Sequence, residues 1–265
     1  MDLELKHPVA LVPTMGALHA GHASLIEIAR KFNSEIVVSI FVNPLQFENP
    51  NDFSTYPKSI DADVELAKAS GATKIWIPTF DEIYPNDPVI ISSGDIGNLF
   101  EGVHRFGHFD GMLTVVKRLF DLVSPKYAIF GEKDFQQLFL IKQMVTQMKL
   151  PIEIIEAPTI RETSGLAMSS RNQKLSVVER ENAAGIYAAL SAANSASDLK
   201  SARIELSQRV QAIPNLLLDY AEIIDADTFV VADDSTENCR AIVAGWINGI
   251  RLIDNMAMSN LGISK

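Results

Sequence analysis

Two histidines stand three residues apart in the glycine-containing segment that runs from Pro13 to His22. The segment follows an apolar run at 9–12, which is typical of a buried strand, and precedes apolar residues at helical spacing. His19 and His22 therefore lie in a predicted strand-to-helix turn. Backbone N–H groups at a helix N-terminus attract anions, and two imidazoles beside them can stabilise charge as a phosphoanhydride breaks. The turn is a candidate phosphate site.

Two other interpretations of this histidine pair remain open at the level of the residues. A zinc pair is disfavoured, because metalloprotease helices carry histidines at i and i+4 with a glutamate between them, and no cysteine lies near. Two hydrogen-bonded structural histidines are the second alternative. The glycines on either side, in a strand-to-helix context, favour the phosphate interpretation.

Three further polar segments carry groups that suit an anionic substrate. Gln46 offers two donors and an acceptor to a hydroxy acid, although a solvated loop glutamine looks the same in sequence. Lys133 can hold a phosphate, while the spacing from Asp134 to Gln137 also fits a helix capping box. The hydroxyls and guanidinium of residues 169–171 form a plausible polyphosphate clamp, or simply a polar loop.

Short apolar strands alternate with helices up to about residue 160, which predicts an α/β fold with a parallel sheet covered by helices on both faces. Ligands of such sheets bind at the carboxyl ends of the strands, and the segments that begin at 13, 43 and 131 all follow predicted strands. The predicted strands cover 9–13, 35–41, 75–77, 127–130 and 152–155, and the predicted helices cover about 21–33, 59–70, 111–123 and 135–149.

The pattern changes after residue 160. A capping box at Ser176 opens a predicted helix over about 177–195, and another follows over about 198–212. Strands predicted at 220–224, 229–232 and 241–247 have no helices between them, which favours a short antiparallel sheet. We therefore expect two domains, 1–160 and 161–265, the second a smaller α+β domain.

Composition limits the classes of partner. The 265 residues carry a formal net charge of −10, which argues against general nucleic-acid binding. Cys239 is the single cysteine, as expected in a reducing cytoplasm. No apolar run approaches the length of a membrane span, so we expect no membrane partner and a cytoplasmic protein.

The segment PTMGALHAGH at 13–22 resembles the signature of the pantoate–β-alanine ligases within the HxGH nucleotidylyltransferase superfamily. FVNPLQF at 41–47, GEKDFQQ at 131–137 and GLAMSSRN at 165–172 resemble further motifs of that family, in the same order. RFGHFDG at 105–111 departs from it by carrying Phe106 where proline is usual. The resemblance implies a Rossmann-like sheet and a C-terminal lid domain.

The resemblance also implies a role for each matching residue. Catalysis would fall to His22, the nominal proton donor, with His19, Lys133 and Arg171. Pantoate, and at Gln46 also β-alanine, would contact Pro13, Thr14, Asn43, Gln46, Tyr56 and Gln137. Asp63 would bind Mg²⁺. ATP would contact Met15, Gly16, Ala17, Leu18, His19, Ala20, Gly21, His22, Gly131, Glu132, Lys133, Asp134, Ile160, Met168, Ser169, Ser170 and Arg171.

The implied reaction joins pantoate to β-alanine with ATP, through a pantoyl adenylate, and releases AMP and pyrophosphate. A homodimer is implied as well. Two alternatives stay open: a related HxGH nucleotidylyltransferase that leaves AMP on its product, and a degenerate homologue that binds ATP without turnover.

Overall fold

The computed structural model describes residues 4–32, 34–47, 53, 54, 56 and 59–259. The chain divides into two compact units. The first comprises residues 1–132 and 136–158, and the second comprises 133–135 and 159–265. The assignment of ATP and pantoate binding to residues 1–160 and of a lid to 161–265 stays a prediction.

The first unit contains a five-stranded parallel sheet, as the alternation of strands and helices predicts. The strand order is β3-β2-β1-β4-β5, so that β1 is central and is paired on both sides. The strands are β1 (Val9–Thr14), β2 (Glu35–Ile40), β3 (Lys74–Trp76), β4 (Tyr127–Gly131) and β5 (Glu153–Ala157).

Helices cover both faces of this sheet because its strands carry apolar side chains on both sides. One face holds Ala10, Val12 and Val38 in a cluster with Ile26 and Ala67, which belong to two of the helices.

The helix that was predicted to begin at about residue 111 begins three residues earlier, at His108. The helices are α1 (Ala20–Ala29), α2 (Ile60–Ser70), α3 (Phe80–Ile83), α4 (Glu101–His104), α5 (His108–Val123) and α6 (Phe135–Gln147).

The strand order explains how distant motifs become neighbours. The chain passes from β1 through α1 to β2 on one side, and later crosses to β4 on the other side of β1. Parallel sheets bind ligands at such a switch point, outside the carboxyl ends of the strands. The segments that begin after Thr14, Ile40 and Gly131 thus leave one edge of the sheet from three adjacent strands.

The second unit packs two helices against a three-stranded antiparallel sheet of order β6-β7-β8, as expected for its α+β pattern. Ser176 and Glu179 form the predicted capping box at the first helix. The elements are α7 (Val177–Asn194), α8 (Leu199–Gln211), β6 (Leu217–Asp225), β7 (Cys239–Ile247) and β8 (Ile250–Ala257). Among the helices that the structure describes, none is both long and apolar enough to span a bilayer.

The strand predicted at 229–232 was wrong. Phe229 is fully buried, but its φ of +63° turns the chain, and only a single bridge joins Val231 to Ile224. The third strand is instead β8, whose charged and amide side chains interrupt the apolar pattern by which a buried strand is predicted. Asp254 in β8 pairs with Arg161 inside the unit, so its charge is not a sign of exposure.

Leu11 in β1 provides a test of this packing, because its side chain is completely buried. Leu11→Ala should lower the free energy of unfolding by about 2–5 kcal/mol, since it removes buried methyl groups and leaves a cavity. Urea unfolding monitored by circular dichroism would measure the loss. Val89→Ala is the control, because Val89 is 86% exposed. Equal losses in both variants would contradict a central position for β1.

Candidate active site

His19 and His22 hold each other at the start of α1. The His19 side chain accepts a hydrogen bond at Nδ1 from the backbone N–H of Gly21, at 3.1 Å. In return, Nδ1 of His22 accepts from the backbone N–H of His19, at 3.3 Å. The ring centroids lie 4.2 Å apart. The pair is therefore a reciprocal helix cap built from imidazoles.

This cap determines which ring nitrogen can act as a donor. A nitrogen that accepts a backbone N–H cannot carry a proton of its own, so Nε2 holds the hydrogen of each neutral imidazole. Each ring therefore has an N–H donor at Nε2, the end opposite the cap. The structural-histidine interpretation and the phosphate interpretation are compatible, because the two roles use different nitrogens.

The residues before His19 adopt a left-handed turn. Gly16 has a φ of +87° and Ala17 has a φ of +50°. The left-handed conformation of Ala17 is about 1–2 kcal/mol less favourable than a right-handed one, because Ala17 carries a Cβ. The backbone N–H groups of Ala17 and Leu18 donate to the two carboxylate oxygens of Asp63, at 2.9 Å and 2.7 Å. These two N–H groups thus have an acceptor within the fold.

Asp63 lies on α2 and is only 2% exposed. Besides the two turn amides it accepts a hydrogen bond from the hydroxyl of Ser59, which forms no side-chain cap with the backbone of α2. Three of the approximately four acceptor positions of the carboxylate are thus occupied. No group of three potential metal ligands occurs among the residues that the structure describes. Asp63 as a Mg²⁺ ligand stays a prediction, and its geometry is that of an anchor for the turn.

Asn43 and Gln46 follow β2, beside the histidine turn. The Gln46 side chain is 6% exposed, and its Nε2 donates to Sδ of Met15 at 2.9 Å. The same amide accepts from Nδ2 of Asn43 at 3.3 Å. This contact places the predicted pantoate ligand directly against the turn that carries His19.

Asn43 is fully buried, and the fold itself supplies partners for its amide. Its Nδ2 also donates to the carbonyl of Gly111 at 3.0 Å, while its Oδ1 accepts from the hydroxyl of Tyr84 at 3.3 Å. Burial raises the pKa of Tyr84 well above its ordinary value, so that the phenol stays a donor. We infer that Asn43 shapes the loop that presents Gln46, and its contact with substrate stays a prediction.

Neighbouring glutamines on α6 have different environments. Gln136 is 7% exposed and donates to the carbonyls of Ile96 and Leu99, while its oxygen accepts from the N–H of Glu101. The side chain of Gln137 is half-buried and forms no hydrogen bond within the described residues. Gln136 thus fixes a loop, and the side-chain amide of Gln137 has its hydrogen-bonding groups available for a ligand.

The helical turn at Glu132–Asp134 continues directly into α6. Asp134 therefore lies inside a helical segment and is not the N-cap that its spacing to Gln137 predicted.

Pro13 and Thr14 end β1, and Thr14 is held by a hydrogen bond from its hydroxyl to the carbonyl of Ser39 at 2.8 Å. Tyr56 is buried, with its ring edge-on to Phe47 at 5.8 Å between centroids. The loop around Tyr56 lies partly outside the described residues, at 48–52, 55, 57 and 58.

In the second unit, a short hairpin leads to the predicted polyphosphate loop. The backbone N–H of Met168 donates to the carbonyl of Ile160, and Gly165 turns the chain with a φ of +91°. Nδ2 of Asn172 donates to the carbonyl of Ala167 and to the carboxylate of Glu162. This small network fixes the base of residues 168–171.

Ser169 caps the turn that contains Ser170 and Arg171, because its hydroxyl accepts from the N–H of Arg171 at 3.2 Å. Ser170 is 7% exposed. Lys133, assigned to the same unit, has its carbonyl bound by Nδ2 of Asn255 at 2.9 Å. Its ammonium lies 3.8 Å from the carboxylate of Asp134.

The sequence profile of the pantoate–β-alanine ligase family matches residues 2–257. The chain belongs to this family. Among curated members, the pantothenate synthetase of Acidothermus cellulolyticus is 47% identical over 262 residues, covering 96% of this chain and 86% of the relative. That of Cytophaga hutchinsonii is 43% identical, covering 96% and 92% respectively.

Solved structures of family members have the same fold. The pantothenate synthetase of Thermus thermophilus has a TM-score of 0.92 at 39% identity, covering 97% of this chain and 96% of that one. The pantoate–β-alanine ligase of Francisella tularensis has a TM-score of 0.80 at 37% identity, covering 97% and 92%. That structure is a complex with beta-gamma ATP and β-alanine.

Sequence reasoning missed some residues that build the site of this ligase. Tyr84 supports Asn43, and Nδ1 of His108 lies 2.9 Å from the carbonyl of Gln46. Their contacts join residues 41 and 62 positions apart, so local spacing gives no signal for them. His108 does lie in the RFGHFDG segment, and its motif position is the one hint that the sequence offers.

The tautomers of the histidine pair can be measured directly. We expect the neutral rings of His19 and His22 to carry their proton on Nε2, because backbone amides donate to both Nδ1 atoms. Long-range ¹H–¹⁵N correlation spectra distinguish the two ring nitrogens by chemical shift. The exposed His7 serves as a reference for an unconstrained ring. Protonation of Nδ1 in either neutral ring would contradict the reciprocal cap.

The two glutamines of α6 form a matched pair of substitutions. Gln137→Ala should raise the KM for pantoate about tenfold, by loss of a substrate hydrogen bond, and leave stability unchanged. Gln136→Ala should instead lower the free energy of unfolding by about 2–4 kcal/mol, because it leaves buried backbone groups without a partner. Steady-state kinetics and urea unfolding of both variants measure this contrast. A raised KM in Gln136→Ala together with a loss of stability in Gln137→Ala would contradict these assignments.

Proposed function

We propose that this chain condenses pantoate with β-alanine to pantothenate, with conversion of ATP to AMP and pyrophosphate. The observation that carries the proposal is the contact between Gln46 and Met15. It places an amide suited to a carboxylate next to the turn that bears the histidine pair. Membership of the ligase family gives the same reaction.

In the first step, a carboxylate oxygen of pantoate attacks the α-phosphorus of ATP. The bond from that phosphorus to the bridging oxygen breaks, and pyrophosphate leaves with the electron pair. Gln46 and Gln137 orient the carboxylate, so that the reacting atoms are held together rather than meeting by diffusion. His19 and His22 donate from Nε2 to phosphoryl oxygens, which stabilises charge as it develops there.

In the second step, the amine of β-alanine attacks the acyl carbon of pantoyl adenylate. The carbon–oxygen bond to AMP breaks, and the amine loses a proton as the amide forms. The adenylate is labile to water, so exclusion of water during this step favours the ligase product. We assign that role to residues 165–172 and the second unit, as the family resemblance implies.

Lys133, Ser169, Ser170 and Arg171 are proposed to hold the triphosphate, because cations and hydroxyls are its natural partners. The remaining proposed ATP contacts are those of the three motifs: Met15 to His22, Gly131 to Asp134, and Ile160 with Met168. Magnesium is expected to accompany ATP, held mainly by phosphate oxygens and water. The cytoplasmic location and the homodimer stay predictions.

Cys239 takes no part in the proposed reaction. Its thiol is buried, and burial raises the pKa of the thiol and keeps it unreactive.

Dependence on β-alanine tests the proposal against both alternatives. The purified protein is incubated with ATP, Mg²⁺ and pantoate, and AMP, pyrophosphate and pantothenate are measured with and without β-alanine. Sustained AMP release only with β-alanine, equal to the pantothenate formed, is the expected result. An adenylylated product that accumulates beyond the enzyme concentration would indicate a nucleotidylyltransferase. Binding of ATP without any AMP would indicate a degenerate binder.

His22→Ala links the reaction to the site in the same assay. Loss of one preorganised donor should reduce pyrophosphate release about 100-fold. His7→Ala is the matched control, because His7 is exposed. Equal turnover in the two variants would remove His22 from the mechanism.

A further inference from the structure

Asp63 is a buried carboxylate that is hydrogen-bonded to the turn before His19. It is 2% exposed, and its two oxygens accept from the N–H groups of Ala17 and Leu18 across 46 and 45 residues of chain. The helix that carries it, α2, otherwise presents exposed acidic side chains such as Asp61. One acid of this helix is therefore directed into the fold while its neighbour faces solvent.

The hydrogen bonds coincide with the strained part of the turn. Ala17 has a positive φ although it carries a Cβ, so that its conformation must be held by its surroundings. Gly16 precedes it, and a Cβ on Gly16 would lie 3.0 Å from Oδ2 of Asp63 and 3.3 Å from Cγ2 of Ile40. The close approach of carboxylate and backbone thus requires glycine at 16, and it fixes the chain immediately before His19.

Charge and burial argue that this carboxylate does not itself meet the phosphates. An exposed aspartate beside an ATP site would repel the triphosphate. Here the carboxylate of Asp63 is buried and accepts hydrogen bonds from the backbone N–H groups of Ala17 and Leu18 and from the hydroxyl of Ser59. The carboxylate of Asp63 is thus bonded to the turn and to its own helix start, within the fold.

We propose that Asp63 is a positioning residue for adenylate formation: it fixes the left-handed turn at Ala17 and Leu18 and thereby sets the direction of the His19 and His22 imidazoles. The catalytic part of this statement rests on the proposed function, whereas the structural part does not. Asp63 acts through the backbone of the turn and needs no contact with ATP, pantoate or a metal ion.

Asp63→Asn tests this role with little change of shape. The amide keeps one acceptor oxygen, but its NH₂ group faces an N–H donor and cannot bond to it. We expect the kcat of pyrophosphate release to fall about 10- to 100-fold, the effect of a small misplacement of catalytic groups. The KM for β-alanine should not change. Asp61→Asn, on the same helix and exposed, should behave as the wild type.

Hydrogen exchange separates a positioning role from other roles of Asp63. In Asp63→Asn, amide exchange in the peptide over residues 14–22 should become at least about tenfold faster, while Asp61→Asn shows no change. The Mg²⁺ concentration at half-maximal activity should be the same in all three proteins. Unchanged exchange together with low activity would overturn the proposal. Activity restored by additional Mg²⁺ would overturn it in favour of a metal ligand.

A measurement on the wild-type protein makes the test independent of how the variant folds and of the reaction. The N–H groups of Ala17 and Leu18 should exchange at least about 100-fold more slowly than that of Gly107, which is exposed and whose N–H has no hydrogen-bond acceptor among the described residues. Residue-resolved exchange by NMR measures this difference. Rapid exchange at both positions would overturn the proposal. Asp63→Glu, which keeps the carboxylate, should recover part of the protection lost in Asp63→Asn.

Discussion

The pairing of β1 with β2 on one side and β4 on the other is the constraint on which the first unit depends. A central parallel strand has both edges hydrogen-bonded and both faces covered, so its sequence must be apolar throughout. The same pairing brings the ends of three strands to one edge of the sheet. Chemistry at this edge is thus a consequence of how the backbone satisfies its hydrogen bonds.

Within that frame, the polar side chains of the site divide according to whether the fold already supplies their partners. Asn43, Gln136 and Asp63 are buried and bonded to backbone or to other side chains. They hold loops and turns in place. Gln137 lacks such partners within the described residues. Burying a polar group without a hydrogen-bond partner costs free energy of folding. Polar side chains that hold the fold are therefore buried and bonded, whereas a side chain that is to bind a ligand stays partly exposed.

In the proposed mechanism, each histidine of the pair combines both kinds of role in one side chain. The Nδ1 atoms accept backbone N–H groups and order the first turn of α1, while the Nε2 atoms lie at the opposite ends of the rings. A serine or aspartate cap would order the helix equally well. Imidazole accepts at one ring nitrogen and donates from the other, on the opposite side of a rigid ring, so this residue type suits a turn that caps a helix and, as we propose, also meets a phosphate.

The sequence by itself determined the class of fold, the order of most strands and helices, and the family, because periodicity and short motifs are local properties of the chain. It failed where local pattern misleads: the apolar residues at 229–232 form no strand, because Phe229 has a positive φ, whereas Ile250–Ala257, which carries Arg251, Asp254 and Asn255, is a strand of the second sheet. Only the tertiary structure decided that Asp63 anchors the turn of Ala17 and that Gln136, unlike Gln137, supports a loop. These assignments depend on contacts between residues some 35 to 46 positions apart, and such contacts exist only after the sheet has brought the chain segments together.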